Sequence, residues 1–237
     1  MNLISIVIIA SLIVFAAFFI RGMTGFANSL ILVPLLSLFL DIKLVVPIAA
    51  ILSIVSGLSL LHITKKQIQK EFVPVLIFVM IGTFIGTHFL VSYGSDLLKI
   101  ILGIAIILFS IQIFFNKTFK NIKKWWGAVA GIIAGILGGM FTTDGPPLAI
   151  YFGNKLKKKE FRATLNIIFL INAVWINMLY VLRGVTTFEI FKLSLILLPA
   201  LFIGLFFGSK AHLKINEVLF KRTIAVILLV TGIMLIL

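Results

Sequence analysis

The sequence predicts an all-α polytopic membrane protein made of two inverted-topology repeats. Each repeat is expected to be a broken Gly-rich hairpin plus three transmembrane helices, for about eight to ten membrane segments in all. The first observation behind this is composition. Hydrophobic residues make up 62% of the 237-residue chain and charged residues only 12%, against about 45–50% and about 25% in a soluble domain. The second is the spacing of apolar runs, most of them near the roughly 20 residues that a helix needs to cross the hydrocarbon core. The third is where the charge falls. Lys and Arg number 21 against 7 acidic residues, and the cations gather in short loops between apolar runs, as the positive-inside rule requires. A net charge of +14 is therefore an orientation signal rather than a nucleic-acid footprint. No nucleic-acid partner is expected.

The elements follow in order. Leu3–Ile20 lacks a basic n-region and a small-residue cleavage site, so it reads as a retained first helix rather than a signal peptide. After the break Arg21-Gly22-Met23-Thr24-Gly25 comes the shorter run Phe26–Leu40, with Pro34 inside it. Leu44–Leu61, Phe72–Val91 and Leu97–Phe115 complete the first half. A basic connector, Lys117–Lys124, leads to Trp125–Phe141, a second break over Thr142–Pro147, and the short run Leu148–Phe152. The basic loop Lys155–Arg162 precedes Ala163–Leu182, Phe188–Phe207 and Val218–Leu237. The whole chain, 1–237, reads as one integral membrane domain, with repeat one at about 1–116 and repeat two at about 122–237.

A shift of 122 positions lays Gly82-Thr-Phe-Ile-Gly86 on Gly204-Leu-Phe-Phe-Gly208 and Lys99 on Lys221. Internal repeats of this kind build many secondary transporters. Placing the loops around Lys65–Lys70, Lys117–Lys124, Lys155–Arg162 and Lys210–Arg222 in the cytoplasm puts 16 of the 21 basic residues on that side. Equivalent loops of the two halves then fall on opposite faces, so the repeats are inverted. Both termini come out non-cytoplasmic.

Chemistry is expected at the two breaks. Irregular backbone at membrane depth is tolerated only inside protein or beside a water-filled cavity. The segment after the second break is too short to cross, so the hairpins are expected to turn back inside the membrane and bring their tips together. A helix starting there aims free N–H groups and its positive dipole end at the cavity, which suits an anion. Pro146 and Pro147 fit such a start. Close packing of small residues is the bland alternative for these glycines. Arg21 and Asp144 are the charges at the tips, and an ionisable group within a membrane is a functional candidate by default. Arg21 has two readings: an anion ligand through its planar fork, or a side chain snorkelling to the headgroups. Asp144 has three: carrier of a coupling proton, partner of Arg21, or cap of the following half-helix.

The candidate substrate-binding set is Arg21, Gly22, Thr24, Gly25, Asn28, Thr142, Thr143, Gly145, Pro146, Asn166 and Asn172, with Asp144 as the coupling candidate. Ser53, Ser56 and Gly57 make the third span polar. Asn166, Asn172 and Asn177 do the same for its counterpart, where interhelical hydrogen bonding is the alternative role. Trp125, Trp126, Tyr93 and Tyr151 read as interfacial anchors. His62, His88 and His212 show no metal-ligand spacing. There is no G-x-S-x-G, H-E-x-x-H or P-loop pattern, no cysteine, and no second carboxylate beside Asp144. No enzyme activity, metal or cofactor is expected. Besides a gradient-driven transporter with H⁺ or Na⁺ coupling, a passive anion channel and a non-transporting scaffold remain open. So does the oligomeric state, a homo-oligomer included.

Gly22-Met-Thr-Gly-Phe-Ala-Asn28-Ser-Leu-Ile-Leu-Val-Pro34 and Gly145-Pro-Pro-Leu-Ala-Ile-Tyr151 resemble the paired motifs of the TauE/SafE family of sulfite exporters. Lys159-Glu-Phe-Arg-Ala-Thr-Leu-Asn166 is similar to the segment that follows the second motif. The resemblance covers essentially the whole chain. It implies a bacterial or archaeal inner-membrane transporter of small sulfur-containing anions such as sulfite or sulfonates. The matching positions are Gly22, Gly25, Asn28 and Pro34, with Gly138, Gly139, Gly145, Pro146 and Pro147. One departure is Thr142-Thr143-Asp144, where a more glycine-rich run is expected. An acidic residue beside an anion site weakens binding unless it is protonated or paired.

Overall fold

A computed structural model describes residues 3–64, 67–115, 123–153, 155–211 and 217–237. The helices are α1 (Leu3–Thr24), α2 (Asn28–Ser37), α3 (Ile42–Thr64), α4 (Phe72–Ser92), α5 (Ser95–Phe115), α6 (Trp126–Phe141), α7 (Gly145–Gly153), α8 (Lys158–Leu182), α9 (Phe188–Ala211) and α10 (Glu217–Ile236). No strand occurs among the described residues. Six helices, α1, α3, α4, α5, α8 and α9, are long and apolar enough to span a bilayer. Helices α2 and α7 have 10 and 9 residues. At ~1.5 Å per residue each is about 15 Å long, half of the hydrocarbon thickness. Both therefore start or stop at depth.

The distribution of polarity is that of a protein dissolved in lipid. Large apolar side chains such as Ile8, Leu12, Ile77, Leu108, Phe202 and Phe207 stand exposed on the outside. Arg21, Asn28, Ser53, Thr83, Asp144, Asn166 and Asn172 are buried inside. Water-soluble domains show the reverse tendency for charged residues.

The order of elements is two runs of long helix, short helix and three further helices, as expected. The inner packing is crossed: α1 lies along α9, and α6 lies along α4. Glycines make both seams. A Cβ on Gly82 or Gly86 would strike the carbonyls of Ile132 and Ile136, and one on Gly204 or Gly208 those of Phe15 and Phe19. From the other side, a Cβ on Gly22 would lie 2.7 Å from Leu205 O and Ser209 N, and one on Gly139 would meet Thr83 O and Thr87 N. The α4 and α9 partners are 122 positions apart, matching the register read from Gly82 and Gly204. The α1 and α6 partners are 117 apart. This correspondence is consistent with a twofold internal repeat. Helix α5 pairs with α10, and α3 with α8.

Three boundaries differ from expectation. The second segment begins at Asn28 and ends at Ser37, inside the predicted Phe26–Leu40. Helix α7 takes in the Gly-Pro-Pro that was assigned to the break. The basic loop expected at Lys155–Arg162 becomes helix from Lys158, because the Lys157 N–H donates to Glu160 Oε2 (3.0 Å) and closes the first turn. Lys65, Lys66, Lys117, Lys120, His212 and Lys214 lie outside the described residues, as does the side chain of His62.

Candidate functional site

The chain leaves α1 through a left-handed turn. Gly25 has φ +87° and Ala27 φ 75°, while the Gly25 N–H donates to Arg21 O at 2.7 Å. Thr24 steadies the turn: its hydroxyl donates to Ile20 O (2.8 Å) and accepts from the Phe26 N–H (3.2 Å). The second tip turns in the same way. Thr142 has φ 54°, and its N–H donates to Gly138 O at 2.7 Å. Three residues after each turn a short helix begins, at Asn28 and at Gly145. Both N-termini face one cavity. Arg21, Asn28 and Ser29 line it from the first tip, and Thr142, Thr143, Asp144, Gly145 and Pro146 from the second. Ser53 of α3 and Phe169 of α8 close its sides.

Arg21 is only 1% exposed. Its guanidinium turns inward instead of reaching for headgroups, which overturns the snorkelling alternative. Nη1 donates to Asn28 Oδ1 (2.8 Å) and Nη2 to Asn166 Oδ1 (3.3 Å). Both acceptors are neutral, and Nε is buried with no partner. The two amides are themselves fixed. Asn28 Nδ2 donates to Ser29 Oγ (3.1 Å) and Ser53 Oγ (3.2 Å), and Asn166 Nδ2 donates to Gly57 O (3.1 Å). A buried cation is thus oriented by neutral groups, with no carboxylate in contact with it.

Asp144 makes no ion pair with Arg21, contrary to one of the expected readings; its Oδ2 accepts from Asn172 Nδ2 at 2.8 Å. Asn172 Oδ1 in turn accepts from the Thr83 hydroxyl at 2.7 Å. Asn166 and Asn172 stand six residues apart on α8, about 9 Å along its axis. One helix therefore supports both tips from behind.

Of the expected site residues, Arg21, Asn28, Thr142, Thr143, Asp144, Gly145 and Pro146 line the cavity. Asn166 and Asn172 stand behind it as supports. Gly22 faces α9, and Gly25 and Thr24 shape the turn. Asn177 donates to Ala173 O of its own helix and takes no part. Three participants escaped the sequence reading. Thr83 sits within a glycine motif that reads as packing. Ser29 is hidden behind Asn28. Arg162 looks like one more loop cation, yet its Nη2 donates to Gly22 O (2.9 Å) and caps the end of α1. Its position four residues before Asn166, on one helix face, is the available signal. No group of three or more metal-ligating side chains occurs among the described residues.

Two interrupted helices meeting at a buried cation held by neutral amides, inside an apolar exterior, define a multi-pass membrane protein with an internal polar site. The chain belongs to the sulfite exporter TauE/SafE family, whose family model matches residues 10–235. That is a family of membrane transporters of sulfite-type anions. No curated protein and no solved structure matches the chain at a significant level.

Proposed function

We propose that the protein exports a small sulfur-containing anion of the sulfite or sulfonate type across an inner membrane, and that it binds the anion between the two hairpin tips. The observation that carries this reading is Arg21. Its guanidinium lines the cavity, is held by two neutral amides, and keeps a buried Nε donor without a partner. An unpaired buried donor costs ~1–3 kcal/mol, and more when charged. An oxyanion relieves that cost on binding.

The helix starts support the same reading. Asn28, Ser29 and Leu30 bring the first turn of α2, with its free N–H groups, to the cavity. Pro146 and Pro147 have no N–H, so α7 offers fewer donors and mainly its dipole end. The anion is accordingly held nearer α2 and Arg21 than α7. Transport then proceeds by alternating access, with the inverted halves rocking about this site and both termini on the non-cytoplasmic face.

The test is sulfite efflux from proteoliposomes, paired with thermal-shift titration of the purified protein, since a ligand of the folded state raises its melting temperature. Wild-type protein should bind and release sulfite. Arg21→Gln should weaken binding about 10- to 100-fold, the equivalent of one lost charge-assisted interaction. Undiminished binding by Arg21→Gln would remove the basis of the proposal.

A further inference from the structure

Asp144 sits badly in an anion cavity unless its charge can be switched off. We propose that Thr83, Asn172 and Asp144 form a proton relay that couples anion binding to uptake of one proton by Asp144. This rests on the anion-site reading above and names its coupling ion.

The argument begins with hydrogen-bond valence. The Asn172 amide lies between the Asp144 carboxyl (2.8 Å) and the Thr83 hydroxyl (2.7 Å), and all three residues are buried. With Asp144 ionised, Asn172 Nδ2 donates to Oδ2, and the Thr83 hydroxyl donates to Asn172 Oδ1. With Asp144 protonated, the amide turns over. The acid O–H now donates to Asn172 Oδ1, and Nδ2 donates to Thr83 Oγ1. A threonine hydroxyl serves equally as donor and acceptor, and an amide carries both functions. Both protonation states are thus bonded along the whole chain, so the proton enters and leaves without stranding a buried group. In the step itself, a hydronium ion at the cavity mouth gives its proton to a carboxylate oxygen: one O–H bond of the hydronium breaks, one forms on Asp144, and a water molecule is left behind.

Charge explains why the proton and the anion travel together. Arg21 is the charged group that faces Asp144 across the cavity. The neighbours from α2, α3, α4, α6, α7 and α8 are Asn28, Ser53, Thr83, Gly138, Pro146 and Asn172, none of them titratable. An empty cavity holds Arg21⁺ and Asp144⁻ and is neutral. A bound monoanion makes it negative in a low-dielectric interior, where that imbalance is costly. Protonation of Asp144 restores neutrality. Each ligand therefore strengthens the binding of the other, as linkage requires, and both the empty and the loaded carrier cross without net charge. Na⁺ fits poorly, because the Asn172 NH₂ already points at the Asp144 carboxylate, where a cation would have to sit. Acid on the far side opposes export by such a carrier, so the substrate's own gradient supplies the drive.

Calorimetry of sulfite binding in buffers of different ionisation enthalpy reads the proton directly, at a pH where sulfite is mainly the monoanion. Wild-type protein should take up one proton per anion. Asp144→Asn, isosteric with the neutral acid, should bind sulfite with no linked uptake. In proteoliposomes, wild-type flux should ignore an imposed membrane potential, and Asp144→Asn flux should follow it. Thr83→Val keeps the side-chain shape but strands Asn172 Oδ1 in the ionised state and its NH₂ in the protonated state. A stranded N–H is worse tolerated than a stranded carbonyl oxygen, so the pH profile of binding should move to lower pH. A merely structural threonine would change stability and leave the profile in place. Equal proton uptake by wild type and Asp144→Asn would overturn the relay while leaving the anion site standing. Potential-driven flux in the wild type would do the same. Failure of the wild type to bind sulfite at all would refute the anion site and the relay together.

Discussion

Gly25 and Thr142 turn their chains in one and the same way. Each adopts a left-handed backbone, and each donates its N–H at 2.7 Å to the carbonyl four residues before it. A short helix starts three residues later in both cases. The two tips are one design executed with different side chains, and the difference locates the chemistry. Arg21 occupies in the first the place that Gly138 holds in the second, and Asp144 stands in the second where the first has Ala27.

Exchanging the two turn residues should have unequal consequences. Gly25→Thr forces a β-branched residue to φ +87° and drives its Cβ to 3.0 Å from Arg162 Nε. A loss of ~1–3 kcal/mol is expected from the backbone alone. Thr142→Gly removes a side chain from φ 54° and should leave the melting temperature in detergent nearly unchanged, as relieved strain offsets added chain entropy. Melting curves of the two variants check the contrast.

The glycine seam predicts a graded series. Gly22→Ala and Gly139→Ala place a methyl group against backbone atoms 2.7 Å or less away. Backbone cannot swing aside, so each should cost ~1–3 kcal/mol or more. Gly94→Ala is the control, since nothing lies within 4 Å of its added Cβ. Thermal stability followed by size-exclusion chromatography distinguishes them.

Asn166→Leu removes both an acceptor for Arg21 and the donor to Gly57 O. The guanidinium then keeps only the Asn28 bond. A loss of ~1.5–3 kcal/mol in stability is expected for one hydrogen bond to a charged group. Added sulfite should recover part of that loss, because the anion supplies the missing acceptor. A melting shift that sulfite does not change would contradict this role.

Ser53→Ala should be mild. Asn28 Nδ2 keeps its bond to Ser29 Oγ when the one to Ser53 is lost. A cost of ~0.5–1.5 kcal/mol, with less than a tenfold change in sulfite affinity, is the expected result of titration.

Much of the fold was legible because lipid imposes it. Apolar run length gave the long helices, and Gly22–Gly25 and Gly138–Pro147 announced the breaks, since such residues at membrane depth have few other uses. Arg21, Asn28 and Asp144 could be placed at the tips for the same reason. What escaped depends on contacts across the chain. Thr83 and Asn172 are 89 residues apart, and nothing in the Gly-Thr-Phe-Ile-Gly motif says which face the hydroxyl takes. Arg162 was hidden by its company: among the lysines of its loop it looked solvated, until α8 began early and turned it onto Gly22. The 117-residue register of the hairpins escaped because it pairs unlike residues, Arg21 with Gly138 and Asn28 with Gly145.

The crossed seams mean that neither half is self-sufficient. The first helix of each half is housed by the fourth helix of the other, α1 on α9 and α6 on α4. Synthesised alone, residues before α6 would present the bare backbone of Gly82 and Gly86 to lipid, and α1 would lack its bed. Two fragments divided between α5 and α6 should instead rescue one another when made together. Each serves as the mould in which the other sets.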